Sequence, residues 1–198
     1  MFLIIFLSLN AIAQACTLAN CSIDAAIVYE NAGEIRYAFY GHSPKIPKPV
    51  NAPLTYSMWA PGGGTNAILA PSSASAGNGW PDVAFDRGSG NISAVWMFLG
   101  GSGGSTTSGI QYSEWSGTAW SPPVTLYQIV TPPPVPPAPS TPVYNFNPVV
   151  AVDVSGTVLV AWRSFVYGPG TSNSVLGRTR VNGVWSPALT SPPAVIAT

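Results

Sequence analysis

Short apolar runs separated by glycine turns recur along this chain, and three stretches repeat one another. Residues 25–39 read AAIVYENAGEIRYAF, residues 81–96 read PDVAFDRGSGNISAVW, and residues 148–162 read PVVAVDVSGTVLVAW. Each is an apolar run, an acidic residue (Glu30, Asp86, Asp153), a glycine turn (Gly33, Gly90, Gly156) and a second apolar run ending in an aromatic (Phe39, Trp96, Trp162). Val, Ile, Thr, Tyr and Trp dominate these short runs, which favours strands. Self-similarity at such a period marks a stacked architecture in which each unit needs its neighbours.

The repeat reaches past these runs. Trp120-Ser121-Pro122 matches Trp185-Ser186-Pro187, and Tyr56-Ser57-Met58-Trp59 matches Tyr112-Ser113-Glu114-Trp115. Asp86 and Asp153 lie 67 residues apart, Trp96 and Trp162 66 apart, and Glu30 and Asp86 56 apart. Strands therefore hold register while loops differ in length. Each unit predicts four strands: 26–30, 34–40, 54–59 and 66–70; then 82–86, 92–98, 110–115 and 119–126; then 149–153, 157–166, 175–181 and 184–190. The first unit lacks the Trp-Ser-Pro element at its fourth strand.

On the second strand of each unit one face carries Ile35, Tyr37 and Phe39, or Ile92, Ala94 and Trp96, or Val158, Val160 and Trp162. The opposite face is apolar at its centre too, with Ala38, Val95 and Ala161. A strand apolar on both faces is expected to be buried on both. The fold class predicted is all-β, a β-propeller-like array of about three four-stranded antiparallel blades. The blades span 24–72, 80–127 and 147–191 within a domain of 24–198. A β-sandwich is the alternative, because a similar number of short strands also builds one.

Tight turns are expected at 31–33, 87–90 and 154–156, and at 116–117 and 182–183. Glycine there supplies the positive φ that hairpins need. Long, dissimilar connections (42–53, 100–109, 167–173) would then share the other face of the array, where binding sites are usually built. Propellers close with about four to eight blades. Three units therefore imply a fragment of a longer protein, which is the favoured reading, a homo-oligomer whose ring closes between chains, or an incomplete ring.

Composition narrows the function classes. Only 7% of the 198 residues are charged, the formal net charge is zero, and 21 prolines and 20 glycines leave no room for long helices. No basic patch exists, so nucleic-acid binding is disfavoured. The Pro-rich run 131–142 reads as a rigid connector. The Gly/Ser run 100–109 lacks the lysine and helix start of a phosphate loop.

Residues 1–15 read as a signal peptide, with the apolar stretch MFLIIFLSL and an Ala13-Gln14-Ala15 cleavage site, which predicts an exported protein (periplasmic, cell-surface or extracellular). Residues 16–23 form the leader of the mature chain. Two roles fit Cys16: lipidation directly after the cleavage site, or a disulfide with Cys21 in an oxidising compartment. Lipidation is the one route to the membrane. Two cysteines and one histidine give no metal-ligand spacing, and no cofactor is expected.

The pattern of an apolar strand, Asp, x, Ser-Gly, an apolar strand ending in Trp, and later Gly-x-Trp-Ser-Pro resembles bacterial sialidase-like β-propeller repeat proteins over about residues 24–190. That resemblance implies the fold and is poorly specific for activity, since one scaffold hosts hydrolases, lectins and adhesion modules. Sialidases of this fold use an arginine cluster, a Tyr–Glu pair and an acidic general acid. This chain has no Phe/Tyr-Arg-Ile-Pro segment and no Ser-x-Asp-x-Gly-x-x-Trp box, so no catalytic residue is carried over.

Asp86, Asp153 and Glu30 end a strand before a glycine turn, where a carboxylate accepts turn N–H bonds; that reading outweighs acid–base chemistry. Trp96 and Trp162 read as core, because their faces are apolar throughout. The candidate ligand contacts are Tyr40, His42, Phe98, Arg163 and Tyr167, near the ends of the second strands on the long-loop side. The leading function is an exported binding module for a glycan or a cell-surface protein. A fragment or degenerate member of a sialidase-like glycoside hydrolase, which would need paired carboxylates, and a structural envelope repeat protein are the alternatives.

Overall fold

The structure, a computed structural model, describes residues 25–40, 58–59, 67–71, 76–117, 119–134, 141–168 and 170–198. The predicted signal peptide, the leader, Cys16, Cys21 and His42 lie outside them. Thirteen strands and no helix occur among the described residues.

Three antiparallel sheets follow one another along the chain. The first holds β1 (Ala25–Asn31), β2 (Glu34–Tyr40), β3 (Met58–Trp59) and β4 (Ala67–Ala70). The second holds β5 (Ala76–Phe85), β6 (Ile92–Gly100), β7 (Thr106–Trp115) and β8 (Val124–Thr131), paired in that order. The third holds β9 (Val143–Val152), β10 (Val158–Val166), β11 (Ser172–Val181), β12 (Val184–Ser186) and β13 (Ala194–Ala197). β5 lies against both β1 and β9, so the first strands of the three sheets are neighbours. Two side chains fasten them. Asp82 accepts the Val150 N–H at 2.8 Å, and the Asn78 amide donates to the Gly33 carbonyl at 3.1 Å.

The middle sheet is covered on both sides. Ile92, Ala94 and Trp96 on one face of β6 pack with Ile35, Tyr37 and Ala70 of the first sheet. Val95 and Met97 on the other face join Ile110, Tyr112 and Leu126 of their own sheet in a core with Val150, Val158, Val160, Trp162 and Leu176 of the third. Trp120 reaches towards the first sheet, its ring 5.4 Å from Tyr37, and Trp185 reaches from the third sheet to Tyr112 at 5.0 Å. Both are thereby packing residues.

Burial on both faces of every second strand does not hold. β6 is buried at six consecutive positions, whereas β10 alternates: Val158, Val160 and Trp162 are buried while Leu159 is 42% exposed and Arg163 is exposed. Among the described residues the third sheet has a neighbour on one side, so half of its apolar pattern faces outwards. In the first sheet Ile35 and Tyr37, matched to Ile92 and Ala94 by the glycine turn, face the middle sheet across the very face that carries Ile92 and Ala94. The Ala32-Gly33 turn is two residues long against longer loops in the other units, and a one-residue change of phase sends side chains to the opposite face.

Strand limits differ where proline intervenes. β5 and β9 begin well before Pro81 and Pro148 because each crosses its proline on a β-bulge, with Trp80 (φ 46°) and Asn147 (φ 49°) in left-handed conformation. The fourth strand of the middle sheet begins at Val124, after Pro122 and Pro123, which offer no N–H; Trp120 keeps one bridge to Trp115. The last predicted strand, 184–190, stops at Ser186 before Pro187, and β13 lies beyond its expected end; β12 and β13 both pair with β11. β4 pairs with β2, not with β3.

Candidate functional site

The three turn carboxylates have the predicted role. Glu30 accepts the Gly33 N–H at 3.0 Å. Asp86 accepts the N–H of Gly88 at 2.8 Å and the Ser89 hydroxyl at 2.5 Å. Asp153 accepts the Ser155 hydroxyl and the N–H groups of Ser155 and Thr157 at 2.7–2.9 Å. The Ser155 hydroxyl and then the Thr157 N–H hold the Asp153 carboxyl below its ordinary pKa.

The other described carboxylates are also engaged within the fold. Glu34 pairs with Arg36 at 2.7 Å, and Asp82 is held on Val150. Glu114 accepts from Asn91 at 3.0 Å and from Arg180 at 2.5 Å. Glu114, Arg180 and Tyr112 bring a carboxylate, a guanidinium and a phenol together between the second and third sheets. Tyr112 is buried and its hydroxyl bonds Ser93 at 2.9 Å. Burial pushes its pKa up, the opposite of what an activated phenolate requires.

Arg178 is buried as well. Its guanidinium donates to the carbonyls of Leu126, Pro187, Ala188 and Ser191, so it clamps the turn after β12 to β8. Desolvation pulls its pKa below the ordinary guanidinium value.

Among the described residues, an aromatic cluster turns outwards. Trp80, lifted on the bulge of β5, is 56% exposed, and its ring lies 6.0 Å from Phe146 of β9. Phe146 lies 6.4 Å from Phe165, which lies 6.2 Å from Tyr167, itself 63% exposed. The Arg163 guanidinium sits over two of these rings, 5.1 Å from the centre of Phe146 and 5.6 Å from that of Phe165. Asn173 fixes it there, accepting from Nε at 2.8 Å and from Nη2 at 2.6 Å. Among the described residues Nη1 has no hydrogen-bond partner. The register explains the gathering: Arg163 pairs with Phe146 on β9 and Phe165 with Tyr144, so alternate residues of β10 meet β9 aromatics on one face. The loop after Tyr167 is tied down by Tyr167 N–H to the Pro142 carbonyl at 2.9 Å and Thr171 N–H to the Gly168 carbonyl at 3.0 Å.

Of the predicted contacts, Arg163 and Tyr167 come together in this strip. Phe98 does not. It lies on the face of β6 turned towards the first sheet, opposite Gly109, where a Cβ would stand 2.4 Å from its ring. The ring covers backbone there. Tyr40 ends β2, and its side chain lies outside the described residues, as does His42. Sequence reading missed Trp80, Phe146, Phe165 and Asn173. The one available signal was the pairing of Trp80-Pro81 with Asn147-Pro148 at equivalent places in two units.

No protein-family model matches the chain, and no curated protein does. Among solved structures it is similar to a Hadza microbial sialidase, Hz136, with a TM-score of 0.41 and 10% sequence identity. The match covers 88% of this chain and 37% of that one, so the chain spans little more than a third of that protein's length. A likeness that loose says nothing about chemistry.

Proposed function

We propose that the chain is an exported binding module that recognises glycans through the strip Trp80–Phe146–Arg163–Phe165–Tyr167, carried on three blades of a β-propeller-like array. Consecutive pairing of β5 to β8 and the neighbouring first strands β1, β5 and β9 support the blade reading. The observation that carries the function is the outward strip with a guanidinium laid across two of its rings. Such a surface offers flat apolar area to the C–H faces of sugar rings and fixed donors to their hydroxyls. Asn173 holds Arg163 before any ligand arrives, which lowers the ordering cost of binding. Every described carboxylate is engaged within the fold and none contacts this strip, which favours binding over hydrolysis.

A glycan array probed with the full chain, followed by calorimetry on the best binder, tests this. Trp80→Ala and Arg163→Ala are each expected to weaken binding about tenfold or more, equivalent to about 1.4 kcal/mol. Phe98→Leu is expected to leave it unchanged. A chain that binds nothing on the array, or Trp80 and Arg163 variants that bind as the parent does, would refute the assignment.

A further inference from the structure

The sequence holds two Asn-Gly pairs, Asn78-Gly79 and Asn182-Gly183, and the fold treats them oppositely. Asn78 lies inside β5, paired with Phe98, and its side-chain amide donates to the Gly33 and Pro71 carbonyls, each at 3.1 Å. Asn182 and Gly183 form the turn between β11 and β12, both exposed and both left-handed, at φ 49° and 82°. Among the described residues neither the Asn182 amide nor the Gly183 N–H has a hydrogen-bond partner. β12, which closes the hairpin, has three residues, none of them buried. The place of the turn at the end of its strands exposes it. Ser116 and Gly117 form the corresponding turn of the middle sheet, which is covered on both sides, and they are exposed too.

An asparagine followed by glycine reacts with its own backbone when the two groups can meet. The Gly183 amide nitrogen attacks Cγ of Asn182 and forms a C–N bond. The side-chain nitrogen leaves as ammonia, taking up the proton that the amide gives up. Water then opens the cyclic imide at either carbonyl and leaves aspartate or isoaspartate at 182. Water is the co-reactant, and the sequence of steps needs no oxidant or reductant. The attack requires the Asn182 backbone to leave its left-handed conformation, so local opening sets the rate. An exposed turn on a short hairpin opens readily, whereas the ladder and two side-chain bonds hold Asn78.

The turn stands beside the joint between the second and third sheets. Arg180 bonds Glu114 at 2.5 Å, and Trp185 packs on Tyr112 at 5.0 Å. Nη2 of Arg180 lies 3.9 Å from where a Gly183 Cβ would stand. A new carboxylate at 182 gives this guanidinium a rival to Glu114. Isoaspartate also lengthens the turn backbone, which disturbs the pairing of Arg180 with Trp185. We propose that Asn182 deamidates spontaneously in the folded chain and that its isoaspartate product weakens the joint between the second and third sheets. The site lies at the opposite end of β11 from the Tyr167 loop, so it stands apart from the aromatic strip.

Ageing the full chain at mildly alkaline pH, followed by peptide mass mapping, tests the proposal. The peptide holding Asn182 is expected to exchange NH2 for OH about tenfold or more faster than the peptide holding Asn78. In the urea-unfolded chain the two are expected to react at similar rates. The isoaspartate fraction is expected to lose the Trp185–Tyr112 nuclear Overhauser contact and to unfold at lower urea than the fresh chain. Asn182→Gly suits the turn, has no amide to lose, and is expected to age without either change. Equal rates at the two sites in the folded chain, or a faster reaction at Asn78, overturn the proposal. So does an isoaspartate form that keeps the contact and the unfolding midpoint, or an Asn182→Gly variant that ages as the parent does.

Discussion

The second and third sheets are built from nearly the same sequence pattern and live in different surroundings. β6 and β10 both follow an acidic glycine turn and both bury a tryptophan, Trp96 or Trp162. Among the described residues β6 has sheets on both sides and is buried at consecutive positions, whereas β10 has one on a single side and alternates. An apolar residue on both faces of a strand therefore records what the repeat is suited to pack against. Which faces are covered depends on where the unit stands in the stack. The third sheet combines a buried side that holds the fold with an open side that carries aromatics, and the proposed binding strip arises from that asymmetry.

The largest expected effect tests the covered sheet. Trp96 is fully buried and its indole N–H donates to Gln111 at 3.0 Å. Trp96→Ala is expected to cost about 3–5 kcal/mol of stability, read from urea unfolding. A loss below about 1 kcal/mol would place this side chain at the surface and remove the first sheet from that face. The next test compares neighbours on β10. Val160→Ala is expected to cost about 2 kcal/mol, from lost burial and the cavity left behind. Leu159→Ala is expected to cost less than about 0.5 kcal/mol. Equal losses at the two positions would mean that both faces of the third sheet are packed within the chain.

The smallest effect concerns pH. The Asp153 carboxyl is held below its ordinary value by the Ser155 hydroxyl and the Thr157 N–H. A depressed folded-state pKa contributes stability that is present above the unfolded value of about 3.9 and is lost as pH falls through the folded one. Asp153→Asn is therefore expected to flatten the acid limb of the stability profile slightly below about pH 4. An unchanged acid limb would show that the exposed turn bonds contribute nothing measurable.

Much of the fold was legible because its signals are local. β2 runs over the predicted 34–40, β6 and β10 lie within two residues of expectation, and the three carboxylates accept turn N–H groups. Two strands start earlier than the expected 82 and 149, each ahead of a proline. On β5 and β9 a left-handed Trp80 or Asn147 lets the strand pass its proline by a bulge, which extends both strands beyond the expected start. The candidate site was half legible. Arg163 and Tyr167 were accessible to a rule about strand ends. Trp80 and Phe146 meet across two sheets from positions 66 residues apart, and no local pattern reports that contact. Phe98 obeyed the same strand-end rule as Arg163, but its face is the inner one.

Methyl–aromatic nuclear Overhauser effects from β6 test the arrangement most directly. With the middle sheet between its neighbours, Ala94 and Trp96 will show contacts to Ile35 and Ala70 of the first sheet, and Val95 and Met97 to Val160 and other core residues of the third. Contacts from odd and even positions of β6 to one and the same sheet would contradict it.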